Sequence, residues 1–114
     1  MTPNSSELRA LAGRLREAAG AGGRLHVVCL CAAWCGTCRD YRATFEDAAG
    51  RHPSMGFSWV DIEDEADLVG DLDVETFPTL LVADPTSVRF FGPLLPQPDH
   101  LRRLLASLQA DGPP

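Results

Sequence analysis

Four cysteines, Cys29, Cys31, Cys35 and Cys38, fall within ten residues, and two of them bracket Gly36-Thr37 in the segment Trp34-Cys35-Gly36-Thr37-Cys38. Sulfur crowded in this way binds metal, exchanges disulfides or fills a core. The segment lies where an apolar run, Leu25 to Ala32, gives way to helical periodicity, so Cys35 is expected at the start of a helix. Unpaired backbone N–H groups and the positive end of the helix dipole favour thiolate there, the reactive form of the side chain. Cys35 is therefore the expected nucleophile. Cys38 lies one turn further in, on the same helical face and within disulfide reach, and is expected to resolve a mixed disulfide formed at Cys35. Gly36 lets a partner chain come close, and Trp34 offers a flat apolar surface beside the nucleophile.

Cys29 and Cys31 have a different setting. Alternate residues of one strand share a face, and both read as small apolar core side chains. Their Cα spacing of roughly 6 to 7 Å is at the far limit of disulfide geometry, so both are expected to stay reduced when a Cys35–Cys38 bond closes. Structural zinc draws Cys-x-x-Cys pairs from separate turns, whereas one pair here lies on a strand and the other opens a helix. His26, His52 and His100 are scattered, and no metal site is expected.

The elements that must position these thiols follow from periodicity. Leu8, Leu11, Ala12, Leu15, Ala18 and Ala19 fall on one helical face, with Asn4 and Glu7 as a capping box, which predicts a helix over 6–19 closed by Gly20, Gly22 and Gly23. The run 25–32 is apolar on both faces and predicts a central strand, parallel to a neighbour. Cys38, Tyr41, Arg42, Phe45 and Ala49 recur at three and four, predicting a second helix from Trp34 to about Ala49. A strand over 57–62 follows, then a short helix through Ala66, Val69 and Leu72, closed near Asp73. Residues 79–83 and 88–91 flank Asp84-Pro85-Thr86-Ser87 as an antiparallel hairpin, with one of Phe90 and Phe91 near the surface or under the last helix. Pro98 and Asp99 open that helix, and Leu101, Leu104, Leu105 and Leu108 form its buried stripe.

The whole chain of 114 residues, 45% hydrophobic and 23% charged, suits a single domain over 1–114 with flexible ends at 1–5 and 110–114. Ten basic against sixteen acidic side chains give a net charge of −6, the wrong sign for holding a phosphate backbone. All ten basic residues are Arg, so chemistry through a lysine amine is excluded. Charges at Glu7, Arg9, Arg14, Arg16 and Glu17 interrupt any export signal, and the uncharged stretch 25–38 is too short to span a bilayer. A cytoplasmic protein with neither nucleic-acid nor membrane partners is expected. Half of all the acid lies between Asp61 and Glu75, at Asp61, Glu63, Asp64, Glu65, Asp67, Asp71, Asp73 and Glu75. It reads as a solvated face before a docking face for a basic partner.

Phe77-Pro78-Thr79 opens the hairpin, and a proline at a strand start can be cis. Together with the strand, Cys-x-x-Cys, helix order, the later strand and helix, the hairpin and the closing helix, the chain resembles the thioredoxin family from Ser6 to Gln109. The resemblance implies an α/β thioredoxin fold: a mixed central sheet of about four strands flanked by helices. It implies that Trp34 is the active-site tryptophan, Cys35 the attacking and Cys38 the resolving cysteine. Pro78 matches the cis-proline whose neighbours' backbone, at Phe77 and Thr79, binds a substrate strand, and Gly92 matches the glycine completing the docking rim. Trp34, Gly36, Thr37, Phe77, Pro78, Thr79 and Gly92 thus line the expected substrate surface. The implied function is thiol–disulfide exchange with protein or small-molecule partners. The implied redox centre is a Cys35–Cys38 disulfide, with no metal or organic cofactor, recharged by a reductase or thiol donor.

The departures from the family pattern bear on mechanism. The buried Asp expected six residues before the attacking cysteine is Cys29, and the Lys of the next strand is Trp59. Thr37 replaces the proline between the cysteines, Ala43 replaces a helix-kinking proline, and the opening strand is expected to be missing. Cys31 takes the place of a second tryptophan near the active-site disulfide. The competing expectation is a binding or scaffold module of the same fold with slow or incidental redox activity.

Overall fold

A computed structural model describes residues 5–20, 24–32, 34–69, 78–94 and 97–110. The element order is α1 (Ser5–Ala19), β1 (His26–Cys31), α2 (Gly36–Arg51), β2 (Gly56–Asp61), α3 (Ala66–Val69), β3 (Thr79–Ala83), β4 (Val88–Pro93) and α4 (Pro98–Ala110). The strands form one mixed sheet in the order β2-β1-β3-β4. β1 runs parallel to β2, with α2 as the crossover, and antiparallel to β3. This is the expected architecture of four strands with helices on both faces, and the first described element is α1. The expected ends 1–5 and 110–114 lie, apart from Ser5 and Ala110, outside the described residues.

Every residue of β1 is buried, because two strands flank it and helices cover both faces. Parity sorts its side chains. Val27, Cys29 and Cys31 pack with Leu80 and Val82 against Tyr41 and Phe45 of α2 and Leu101, Leu105 and Leu108 of α4. Val28 and Leu30 pack with Leu81 and Ala83 against Leu11, Ala12 and Leu15 of α1. Both odd-numbered cysteines of the strand therefore face α2.

α1 ends at Gly20, whose φ of +64° is the left-handed conformation that glycine adopts without penalty. Arg16 then ties α1 to the segment before β1 and to β3: its guanidinium donates to the carbonyls of Arg24 and Ala83, both at 2.5 Å. The hairpin turn is held by Asp84, whose Oδ1 accepts from the backbone N–H of Thr86 at 2.8 Å and of Ser87 at 2.7 Å. Of Phe90 and Phe91, Phe90 lies under the last helix, one of the two placements expected. Both are half-buried, Phe90 on the α2–α4 face and Phe91 on the α1 face, since the sheet is covered on both sides as far as β4. The expected continuation of α3 to Leu72 and Asp73 lies outside the described residues.

Candidate functional site

Cys35 occupies the N-cap of α2. Its φ of −85° and ψ of 118° are extended, as a cap position requires, and its side chain makes no capping hydrogen bond. Its N–H donates to the Ala32 carbonyl at 3.0 Å, and its carbonyl accepts from the Arg39 N–H at 3.2 Å. The backbone is thus fixed while the half-buried sulfur packs on the edge of the core cluster that holds Cys29, Cys31 and Cys38. Cys38, one turn inward, is buried at 1% exposure.

The one disulfide among the described residues joins Cys31 to Cys38, with a Cα–Cα distance of 5.8 Å, and leaves Cys29 and Cys35 as free thiols. This corrects two expectations: the Cys38 partner is not Cys35 here, and Cys31 is not a reduced core thiol. The physical reason is parity. Cys31 ends β1 on the face that α2 covers, so it meets the inward face of the first helical turn, where Cys38 lies. Spacing along the strand relates Cys31 to Cys29 and does not carry its approach to Cys38 across the strand-to-helix junction. Cys29, whose S–H donates to the Cys31 sulfur at 3.7 Å, is in contact with Cys31 without a disulfide between them. Their same-face position was the signal for which helix they address.

Trp34 is 64% exposed, the large apolar side chain of this surface, and its indole Nε1–H donates to the Glu63 carboxylate. Gly36 and Thr37 are exposed beside it. A Cβ at Gly36 would meet only the Arg39 guanidinium, 3.8 Å away, so the glycine leaves the approach to Cys35 open. Pro78 and Thr79 are buried. Thr79 pairs with Leu30, so the antiparallel register carries Pro78 to the Cys31 end of β1. The Pro78 carbonyl accepts from the Leu94 N–H at 3.2 Å. Gly92 pairs with Leu80 one strand further out, and Phe77 lies outside the described residues.

Beneath the thiols the site is apolar where the family pattern places an acid and a base. Cys29 and Trp59 are register partners on adjacent parallel strands. Burial pushes the Cys29 thiol up to about 12. Tyr41 is shifted up by burial and by Cys29, and its buried hydroxyl has no hydrogen-bond partner. Trp59 packs edge-on to Phe45 at 5.7 Å, with the Arg42 guanidinium 5.1 Å over its ring. Acid does approach from the other side, which sequence reasoning did not anticipate. A cleft of about 370 Å³ is lined by Cys38, Trp59, Asp61 and Glu65 among others, and the Glu65 Oε2 is buried without a hydrogen-bond partner. Asp61 Oδ1 organises this turn by accepting from the N–H groups of Glu63 at 2.8 Å and Asp64 at 3.1 Å. Asp71, Asp73 and Glu75 of the acidic run lie outside the described residues.

Among the described residues no group of three His, Cys, Asp or Glu side chains is arranged to hold a metal ion. No described helix is long and apolar enough to cross a membrane. The arrangement can do sulfur chemistry with its own residues: a half-exposed thiol at a helix N-cap, and behind it a buried sulfur already engaged in a disulfide.

Comparison with known proteins points the same way. The family profile described as Thioredoxin matches residues 16–91. A thioredoxin of Ophiophagus hannah is 33% identical over 63 residues, covering 55% of this chain and 60% of that protein. An H-type thioredoxin of Picea mariana is 33% identical over 89 residues, 76% of this chain and 69% of that protein. Across the curated relatives it matches, the chain spans between 38% and 69% of their length. The crystal structure of thioredoxin from Trypanosoma brucei brucei superposes with a TM-score of 0.71 at 25% identity, covering 87% of this chain and 86% of that one.

Proposed function

The chain belongs to the thioredoxin family, and on that premise we propose that it is a thiol–disulfide oxidoreductase working through Cys35 and Cys38. The observation that carries this reading is the half-exposed, unbonded Cys35 at the N-cap of α2 with the buried Cys38 sulfur one turn behind it. In the fully reduced protein, once a thiol donor has opened the Cys31–Cys38 bond, the Cys35 thiolate attacks one sulfur of a partner disulfide, and the other partner sulfur leaves as thiolate and takes a proton. Cys38 then attacks the Cys35 sulfur, the partner's second thiolate departs, and a Cys35–Cys38 bond remains. Two thiols on the protein are oxidised and one partner disulfide is reduced. A reductase or a thiol donor reverses the exchange and resets the pair. The redox centre needs no metal or organic cofactor.

Trp34, Gly36 and Thr37 form the exposed approach, with Phe77, Pro78, Thr79 and Gly92 as the remaining docking surface by family position. The partners are disulfide-containing proteins or small disulfides, encountered in the cytoplasm. The apolar Cys29–Trp59 pair in place of an acid and a base favours one rival, a binding module whose turnover is incidental. Dithiothreitol-driven reduction of a protein disulfide separates the two. The oxidoreductase accelerates it, Cys35→Ser abolishes the acceleration, and Cys38→Ser accumulates mixed disulfides at Cys35. A wild-type protein no faster than dithiothreitol alone would establish the binding module instead.

A further inference from the structure

We propose that Cys31 is a third redox residue: the oxidised protein holds its disulfide in either of two isomers that share Cys38, an outer Cys35–Cys38 bond and an inner Cys31–Cys38 bond. The proposal extends the exchange chemistry proposed above and depends on it for the outer bond. The inner bond is the one present, between the last residue of β1 and the first turn of α2, at a Cα–Cα distance within the ordinary disulfide range. Both of its residues are 1% exposed, so an external thiol has little access to either sulfur. Cys35 is different: it is half-buried, unbonded, one helical turn from Cys38 and packed on the same cluster. Cys35 is thus the sulfur that can pass oxidising equivalents between the core and the surface.

Interconversion needs no external oxidant. The Cys35 thiolate attacks the Cys38 sulfur, the Cys35–Cys38 bond forms as the Cys31–Cys38 bond breaks, and Cys31 leaves as thiolate and takes up a proton equivalent to the one Cys35 released. One disulfide and one thiol stand on each side. In the inner isomer the disulfide is shielded and Cys35 is a lone reactive thiol. In the outer isomer the same equivalents face a partner. Cys29 touches Cys31 but does not join the relay, since it shares a strand with Cys31 and burial holds its thiol up at about 12.

The test compares wild type, Cys35→Ser and Cys31→Ala, each reduced in denaturant and refolded in oxidised glutathione so that the oxidant reaches the otherwise buried sulfurs of every variant, followed by acid quench and peptide mapping of disulfides. Alanine is chosen at position 31 because a serine hydroxyl there would be buried without a partner. Cys35→Ser is expected to form an intramolecular Cys31–Cys38 bond, Cys31→Ala only a Cys35–Cys38 bond, and wild type both bonded peptides. The inner bond of Cys35→Ser should be reduced by dithiothreitol roughly tenfold or more slowly than the outer bond of Cys31→Ala, because access to sulfur limits exchange. If Cys35→Ser keeps its thiols free, or carries only a glutathione adduct, under conditions that close the wild-type bond, Cys31 is no redox residue. Turnover of Cys31→Ala on a protein disulfide reads the other premise separately: its absence, together with absence in wild type, removes the oxidoreductase reading whatever the mapping gives.

Discussion

Replacing Cys29 by Asp puts a carboxyl where the family carries one, and the thiol already there measures what that carboxyl will feel. Burial alone raises the Cys29 thiol from 9.0 to about 12. The site therefore resists a negative charge by about three pH units, or about 4 kcal/mol at 1.36 kcal/mol per unit. The same desolvation would carry an aspartic acid from about 4 to about 7, with the unpartnered Tyr41 hydroxyl available to trim the shift by donating to the carboxylate. A carboxyl poised near neutrality is suited to take the Cys38 proton as that thiol attacks, and such help is worth roughly 10²–10⁴ in rate. The same shift weakens the fold with a defined sign. Because the folded pKa exceeds the unfolded one, the variant loses stability relative to its parent as pH rises from about 4 to about 7, by about 4 kcal/mol in all. The measurement belongs in a Cys31→Ala background, where Cys38 has one partner. A chromogenic thiol is loaded on Cys35, its release is followed by stopped flow between about pH 6 and 9, and denaturant unfolding is followed separately from about pH 4 to about 7. If the variant folds and release is no faster at any of these pH values, Cys38 already has a proton acceptor and the reasoning from the lost Asp is wrong. If its stability does not fall with pH, the desolvation argument is wrong.

Two further predictions concern buried groups. His26, 2% exposed and 2.8 Å from the Ser58 hydroxyl through Nε2, is held down to about 4 by burial and then by Arg16 and Arg24. As pH falls from about 6.5 to about 4 the unfolded imidazole takes its proton first, so wild type should lose up to about 3 kcal/mol of stability over that window and His26→Gln most of that slope; chemical unfolding at several pH values reads both, and equal slopes would refute it. Tyr41→Phe removes a buried hydroxyl that makes no hydrogen bond, so it should raise the unfolding free energy by about 1 kcal/mol, and a loss of that size would reveal a partner for the hydroxyl.

Much of this molecule was legible because its elements are locally consistent. The stripe Leu101, Leu105 and Leu108 and the hairpin around Asp84 announce themselves through period and turn chemistry, and both stand where the pattern puts them. The position of Cys35 at a helix start was legible for the same reason. What local pattern does not carry is distance across a junction. Whether Cys38 faces Cys35 or Cys31 depends on how α2 leaves the sheet, a tertiary property to which no spacing in the sequence corresponds. The approach of Glu65 to the cleft beside Cys38 is of that kind too, since an acidic run reads as solvated until a turn folds one member inward. Phe90 and Phe91 follow from alternation on a sheet covered on both faces, which seats one under α4 and the other against α1.

β1 is hydrogen-bonded on both sides and buried along its whole length, and β3 shares that burial. Amide hydrogens in such strands exchange with solvent only when the whole domain opens, on a timescale far slower than thiol chemistry. β1 ends at Cys31, so a ladder hydrogen-bonded on both sides terminates at a covalent bond that, on the exchange proposed above, is remade without opening it. A change of sulfur partner at that point leaves the memory of labelled amides intact. On the proposed chemistry, the domain exchanges disulfides many times within the lifetime of a single folded conformation.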